Sequence, residues 1–325
     1  MKKNLINCIY IGFLFAVATI VSCEKNEIDY DAVSVEEMAL FQLSHFTPVL
    51  RNTDYNIYKV ELNGKMLSNE TSVLKYYNTN PAADASVARF YATQPGTVNL
   101  KFYQSTNLNE VYNQNVTLTK GKQNVIVYDY NKPPIVIDRG FDLQYPQDPA
   151  KASFDTDTIS YVRFINLMFE DDTKPTDMKL QYQYQYTLHP LYTIADEQAG
   201  KIPDGKNVGD ATGDATKSAW LNLGSPVAFG ESTGFQPVPA IKTTYVSQGA
   251  ARVDFRIVVS AANGGVVGET VVDDKDWQLR VHNGTRFIAY TDFWSQTTGR
   301  YQSHYFGGTR TMPTKTAAVV IGYEN

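Results

Sequence analysis

The chain has 325 residues, 43% hydrophobic and 13% aromatic, with 29 Lys and Arg against 34 Asp and Glu and a formal net charge of −5. At ~150 residues per domain this is room for roughly two domains; the high aromatic content excludes disorder, and the acidic balance excludes a nucleic-acid binder, which needs basic surface to neutralise phosphate. Two Cys exclude a disulfide scaffold and any Cys-rich zinc or iron–sulfur site.

Lys2 and Lys3 form a positive head, followed by the apolar run Ile9–Val21. As a helix that run reaches ~20 Å at 1.5 Å per residue, short of the ~30 Å hydrocarbon core. Residues 1–22 therefore read as an export signal rather than a membrane span. The run ends Ile20-Val21-Ser22-Cys23, which resembles the bacterial lipobox: aliphatic, then small, then Cys. The resemblance implies cleavage before Cys23 and acylation of its thiol and its new amine. At ~0.8 kcal/mol per buried methylene, three acyl chains make the anchor effectively permanent. Loss of Lys2 and Lys3 with the signal moves the net charge from −5 to −7. Residues 23–35 then form an acylated tether, opening Glu24-Lys25-Asn26-Glu27-Ile28-Asp29-Tyr30-Asp31. It is acidic, lacks apolar periodicity, and is similar to the export signal of surface lipoproteins of the Bacteroidetes. That similarity implies an outer-membrane protein facing outward.

From Ala39 onward short alternating runs are punctuated by Gly, Pro and Asn. Tyr58–Leu62, Asn63-Gly64 and Lys65–Leu67 predict a hairpin on a type I′ turn. Val98, Leu100 and Phe102 alternate with polar residues. Val116–Thr119, Lys120-Gly121 and Asn124–Tyr128 predict a second hairpin. Met178, Leu180, Tyr182, Tyr184 and Tyr186 hold every second position, and Val253, Phe255 and Ile257 do likewise. Period two marks strands with one packed and one wet face. Only Val33–Leu43 could be mistaken for a helix. The reading is all-β.

A Pro-rich break supplies a linker, residues 139–157, between domains at 36–138 and 158–325. Inside the second, residues 195–217 form a Gly-rich acidic insertion that reads as a mobile loop. The halves repeat. Gly96–Phe102 aligns with Gly249–Phe255, Val116–Gly121 with Leu279–Gly284, and the opening Ala39–Leu43 with Tyr161–Leu167; Asp129 and Asp292 follow their glycines at the same spacing.

On these residues the chain resembles a family of immunoglobulin-like domains of unknown function, found in tandem in lipoproteins of the Bacteroidetes. Its members open with a strand like Val162–Leu167, then carry a Gly-led strand like Gly96–Phe102 and a hairpin like Val116–Tyr128. The resemblance covers most of 36–138 and, less closely, 158–325. The family's Pro-rich turn is reduced here to Pro48, and the 195–217 insertion departs from the pattern. It implies two immunoglobulin-like β-sandwiches and a location, and carries no catalytic residues.

Chemistry is sparse. His45, His189, His282 and His304 have no second His or Cys at ligand spacing, which predicts no metal site and no cofactor. No nucleophile elbow, phosphate loop or dinucleotide fingerprint occurs. Glu170-Asp171-Asp172 and Asp273-Asp274 read as solvated loop acids rather than a glycosidase pair, and Asp204–Asp214 lacks the calcium-loop order. Asp157-Thr158-Ile159 fits an O-glycosylation acceptor. Aromatics are the remaining lead, because a ring face stacks on a sugar and Tyr adds a hydroxyl. Tyr182, Tyr184 and Tyr186 share a face that is either core or ligand platform; Trp220, Trp277 and Trp294 all lie in the second half. Trp294 and His304 sit in polar segments that read as loops. The candidate ligand-binding residues are Trp294, Tyr184 and His304, and the lipidation residue is Cys23.

The expected function is a non-enzymatic surface lipoprotein, an interaction or structural module held to the membrane by its lipid and meeting a glycan or protein partner. A glycan-binding component of a polysaccharide uptake system is the alternative. A fimbrial subunit ranks third, with Thr316–Tyr323 as the strand it would insert into a neighbour.

Overall fold

The structure, a computed structural model, describes residues 35–47, 56–70, 73–74, 78–79, 90–139, 159–171, 173–239, 245–247, 250–259, 286–288, 301–309 and 318–323. The signal, Cys23 and the tether up to residue 34 lie outside the described residues, as do Trp277, His282, Trp294 and residues 140–157 of the expected linker. The chain divides into Met1–Val35 and a compact unit Glu36–Asn325, and every strand belongs to the second unit. Among the described residues no helix is long and apolar enough to cross a membrane.

The fold is all-β. The first half supplies β1 (Ala39–His45), β2 (Ile57–Leu62), β3 (Lys65–Ser68), β4 (Asn78–Thr79), β5 (Tyr91–Thr93), β6 (Gly96–Gln104), β7 (Asn109–Leu118), β8 (Gly121–Val127) and β9 (Ile135–Asp138). The second supplies β10 (Ile159–Phe169), β11 (Leu180–Leu188), the helix α1 (Ile194–Gln198), β12 (Thr216–Lys217), β13 (Leu221–Asn222), β14 (Gln236–Pro239), β15 (Tyr245–Ser247), β16 (Ala250–Val259), β17 (Arg286–Ile288), β18 (Tyr301–Thr309) and β19 (Ala318–Tyr323). A first sheet runs β4-β1-β8-β9 with β5 also on β1, and a second runs β3-β2-β6-β7. A third runs β14-β10-β18-β19; a fourth runs β12-β11-β16-β15, with β13 on β11 and β17 on β16.

The predicted β2–β3 hairpin forms on Asn63 (φ 50°) and Gly64 (φ 76°), two left-handed residues as a type I′ turn requires. Asn63 Oδ1 accepts from the Asn99 backbone N–H at 2.7 Å, pinning the turn to β6. The second predicted hairpin does not form. β7 pairs with β6, and after Leu118 the chain crosses to the first sheet, where β8 lies parallel to β1 from Ala39↔Gly121 to His45↔Val127. The reason is in the residues: Val125-Ile126-Val127 is apolar on both faces, and a strand of the second sheet, wet on one side, cannot bury both. Val35–Glu37 is a single 3-10 turn and Ala39 begins the strand, so the helix-like stretch is not a helix.

The second half repeats the plan. β10 lies parallel to β18 from Tyr161↔Tyr301 to Phe169↔Thr309, and β11 pairs antiparallel with β16 as β2 does with β6. Gly96–Phe102 and Ala250–Phe255 thus fall on equivalent strands, Gly249 lying outside the described residues. The other alignment is displaced. Phe287 stands opposite Ala251 as Val116 stands opposite Val98, so Phe287, not Leu279, occupies that place. The connection from β16 to β17 is far longer than the turn between β6 and β7, which breaks the simple register. The segment around His304, expected as a polar loop, is β18, buried along its length. β19 pairs antiparallel with β18, so the C-terminal strand completes the chain's own sheet.

Each half has its own core. Phe41, Leu43, Val60, Leu100, Phe102, Tyr112 and Val125 anchor the first; Phe164, Leu180, Tyr182, Val253, Phe255 and Phe306 anchor the second. A third cluster, Phe46, Ile126, Ile165, Leu167 and Tyr305, draws on both halves, with Phe46 stacked on Tyr305 at 5.3 Å. The opposite faces of the two parallel pairs therefore pack on each other. At the centre lies Arg163, 1% exposed. Its Nη2 donates to Asn124 Oδ1 at 2.6 Å, its Nε to Ser303 Oγ at 2.9 Å, and its Nη1 to the Asp138 carbonyl at 3.3 Å. Asn124 Nδ2 donates to Gln42 Oε1 at 2.8 Å and Tyr305 Oη at 2.9 Å. The loop before β14 closes the seam: Phe235 covers the Arg163 guanidinium at 4.6 Å, and Phe229 packs edge-on against Tyr128 and Phe169. Gly230 (φ 79°) lies where a Cβ would meet Ile135 Cδ1 at 3.2 Å, so glycine serves both the turn and the close approach.

Two outcomes are expected from this packing. Asn124→Leu keeps the number and branching of side-chain heavy atoms but removes the acceptor for Arg163 and the donors to Gln42 and Tyr305. Urea unfolding is expected to show a loss of about 3 kcal/mol, because a buried charge loses its partner. Asn115→Ala, on a wet face, is expected to cost under about 0.5 kcal/mol. A comparable small loss for Asn124→Leu would contradict the seam as described. The second outcome concerns His45, which is fully buried and lies 2.9 Å from both Tyr130 Oη and Thr47 Oγ1. Desolvation pushes its pKa down to about 3. Unfolded, it titrates near ~6.5, so below that pH the unfolded chain binds a proton that the folded chain refuses. This contribution is whole above pH ~6.5 and is lost as pH falls toward 3, by up to about 1.4 kcal/mol per pH unit. His45→Gln should flatten the stability–pH curve between pH 6 and 4, and an unchanged slope would refute the assignment.

Candidate functional site

Tyr184 is a core residue. The even positions of β11 face inward, leaving Tyr182, Tyr184 and Tyr186 only 0%, 9% and 5% exposed. Tyr182 is sandwiched between Phe164 at 4.4 Å and Phe255 at 5.1 Å, while Tyr184 meets Tyr186 edge-on. His304 is also buried, at 1% exposure, edge-on to Phe255 at 5.0 Å. Burial raises the Tyr182 hydroxyl well above the ordinary phenol range, so it stays protonated. Gln302 Oε1 can only accept, so the His304 ring nitrogen 3.1 Å from it, Nε2, carries the proton, and Nδ1 accepts from the Tyr182 hydroxyl at 2.9 Å. The structure brings Tyr182 and His304 together as a satisfied polar pair inside the second core. Neither His304 nor Tyr184 is presented to a ligand, which corrects the sequence-based expectation for both. The cause is the strand identity of 301–309, which turns a loop side chain into a core one. Trp294 lies outside the described residues.

The side chains offered outward by the fourth sheet are the ones between the tyrosines. Gln183 stands opposite Arg256 and Gln185 opposite Asp254. Arg256 Nε donates to Gln183 Oε1 at 2.7 Å, and Gln183 Nε2 donates to Asn222 Oδ1 at 2.8 Å. Trp220 lays its ring on the Arg256 guanidinium, 4.4 Å from the ring centre. Desolvation lowers the Arg256 pKa. Gln185 Nε2 donates to the Ser218 carbonyl at 2.7 Å, and Lys217 pairs with Asp254. Leu221, although 41% exposed, stands opposite Tyr184 and so belongs to the other face of the sheet. The result is a half-buried indole, side-chain amides and the Arg256 guanidinium on a single sheet face. Such a surface can hold a ligand by stacking and by charged and neutral hydrogen bonds.

Period two marks Gln183 and Gln185 as outward, but only as spacers between tyrosines. Trp220 could not be placed from sequence, because it reaches the sheet through the 195–217 insertion. That insertion, expected as a mobile loop, has its own hydrogen-bonded structure. Thr193 caps α1 through a reciprocal capping box with Asp196, Tyr192 exchanges backbone bonds with Asp210 and Gly209, and β12 returns onto β11. Asp171 caps the Thr173 and Lys174 N–H groups of its own turn, which holds its pKa below the usual carboxylate range.

A second feature is an open groove of about 580 Å³ at the seam, lined by Ile137 and by the loop from Gly224 to Gln236. Its polar groups hold the loop itself: Glu231 Oε2 accepts from the Ala228 N–H at 2.9 Å and Gln236 Nε2 donates to the Thr233 carbonyl at 2.8 Å. Among the described residues no three His, Cys, Asp or Glu side chains gather as a metal site would need.

No protein-family model matches the chain, and no curated protein matches it. Among solved structures, the chain is similar to a leucine-rich repeat protein from Bacteroides thetaiotaomicron at 9% identity and a TM-score of 0.19, over 86% of this chain and 27% of that one. The chain thus spans about a quarter of that protein's length, and a likeness of this size carries no argument about fold or function.

Proposed function

We propose that this chain is a non-enzymatic lipoprotein of the outer membrane, anchored through an acylated Cys23 and displaying two immunoglobulin-like β-sandwiches, of the tandem kind known from the Bacteroidetes, as an interaction module. The observation that carries the reading is the disposition of reactive side chains. His45, His304 and Tyr182 are buried and hydrogen-bonded, whereas Gln183, Arg256 and Trp220 lie together on the outward face of the fourth sheet. Binding by a surface, rather than turnover in a pocket, is what such a distribution serves.

A glycan is the favoured partner. Trp220 offers apolar surface to sugar C–H faces, while Gln183 and Asn222 offer amides to hydroxyls. The strand-donation reading has less support, since β19 is already paired within its own sheet.

Labelled palmitate is expected to enter the wild-type protein and not Cys23→Ala; equal labelling of both would overturn the anchor. On a glycan array, Trp220→Ala is expected to weaken the wild-type signal about ten-fold, a loss typical of one stacked aromatic. Unchanged binding would show that this face is not the glycan site.

A further inference from the structure

We propose that the outward face of the fourth sheet binds an acidic glycan, one bearing a sugar carboxylate, with the Arg256 guanidinium taking that carboxylate; the inference rests on the glycan reading of the same face.

Three observations point to the charge. First, Arg256 is held in a fixed pose. Its plane is stacked by Trp220 at 4.4 Å, and its Nε is held by Gln183 Oε1 at 2.7 Å. A guanidinium carries five N–H donors in a planar fork, and among the described residues its two Nη groups take no hydrogen bond. Second, the acid on this face is already neutralised. Asp254, two residues along β16, is paired with Lys217, which also donates to Thr187 Oγ1 at 2.8 Å. Third, Arg256 is partly desolvated, and a neutral amide, Gln183 Oε1, is its acceptor. With Lys217 and Asp254 paired, the Arg256 guanidinium has no acid beside it among the described residues, in a chain whose formal net charge is −5.

A carboxylate fits the free fork by two parallel N–H···O bonds, a match in geometry as well as charge. The surroundings favour a sugar acid over a bare anion. Trp220 supplies apolar contact, and Asn222, whose Oδ1 accepts from Gln183, keeps its amide donors for hydroxyls. A simple anion would use the charge and leave the rest of the surface idle.

The test uses the full-length protein in detergent micelles and two acid and ester pairs: oligogalacturonate and sialyllactose, each against its methyl ester. The ester keeps the ring and the hydroxyls and removes the charge. At least one acid is expected to bind about ten-fold more tightly than its ester, with the difference shrinking as salt rises. Arg256→Gln is expected to abolish the difference between acid and ester, and Arg256→Lys, which keeps the charge without the fork, to retain only part of it. Should Arg256→Gln fail to fold, Arg256→Lys and the salt dependence still decide. Equal affinity for acid and ester overturns the inference and leaves the glycan reading standing. Absence of binding to all four overturns both. Tighter binding to a matched poly-glutamate than to either sugar acid overturns the inference in favour of an acidic peptide.

Discussion

Arg163 sits with 1% exposure between the first and third sheets; its bonds to Asn124 and the Asp138 carbonyl tie the halves of the chain together, and its bond to Ser303 holds it to the neighbouring strand of its own sheet. A guanidinium taken out of water carries a desolvation cost of several kcal/mol, and only well-placed acceptors offset it. Those acceptors come from β8, β9 and β18, so the register of three strands is fixed by one side chain. Around it the apolar contacts of Phe46, Ile126, Ile165, Leu167 and Tyr305 exclude water. The polar centre fixes the register and the apolar rim supplies most of the burial.

This arrangement explains which surfaces are left for function. The parallel pairs β1–β8 and β10–β18 are covered on both faces, once by their own sandwich and once by the other half. The outer faces of the second and fourth sheets are the ones left to solvent among the described residues, and these differ. On the second sheet the polar groups satisfy one another: Asn99 Nδ2 donates to Asn113 and Asn115, Tyr103 donates to Glu61, and Lys101 pairs with Glu110. On the fourth, Trp220 lies on Arg256, whose guanidinium has no acid beside it among the described residues. The difference arises from the insertion that carries Trp220 across the sheet, an element with no counterpart among the described residues of the first half.

Much of this fold is legible in the sequence, and the parts that are not have physical causes. The alternation of β6, β11 and β16 and the Asn63-Gly64 turn can be read directly, since period and turn chemistry are local. The Val125–Val127 run reads as a hairpin arm because a doubly buried strand and a half-buried one differ only in what covers them. His304 reads as a loop residue for the same reason: Gly, Ser and Gln around it have turn chemistry, and only the pairing with β10 makes the segment a strand. Tyr184 and Gln183 can be assigned to opposite faces, but which face is wet depends on the sheet packed beneath. Arg163 gives no signal at all. An Arg within Tyr161–Leu167 looks like the exposed half of an alternating strand, and its burial follows from the mating of two sheets.

Residues 36–325 form one compact unit whose halves are bonded through Arg163 and are expected to unfold cooperatively. Native-state hydrogen exchange with increasing denaturant tests this most directly, by following the backbone amides of β1, β8, β10 and β18 together. Convergence of all four strands on a single opening free energy is the predicted result. Separate convergence of β1 and β8 at one value and β10 and β18 at another would show two independently folding halves and contradict it.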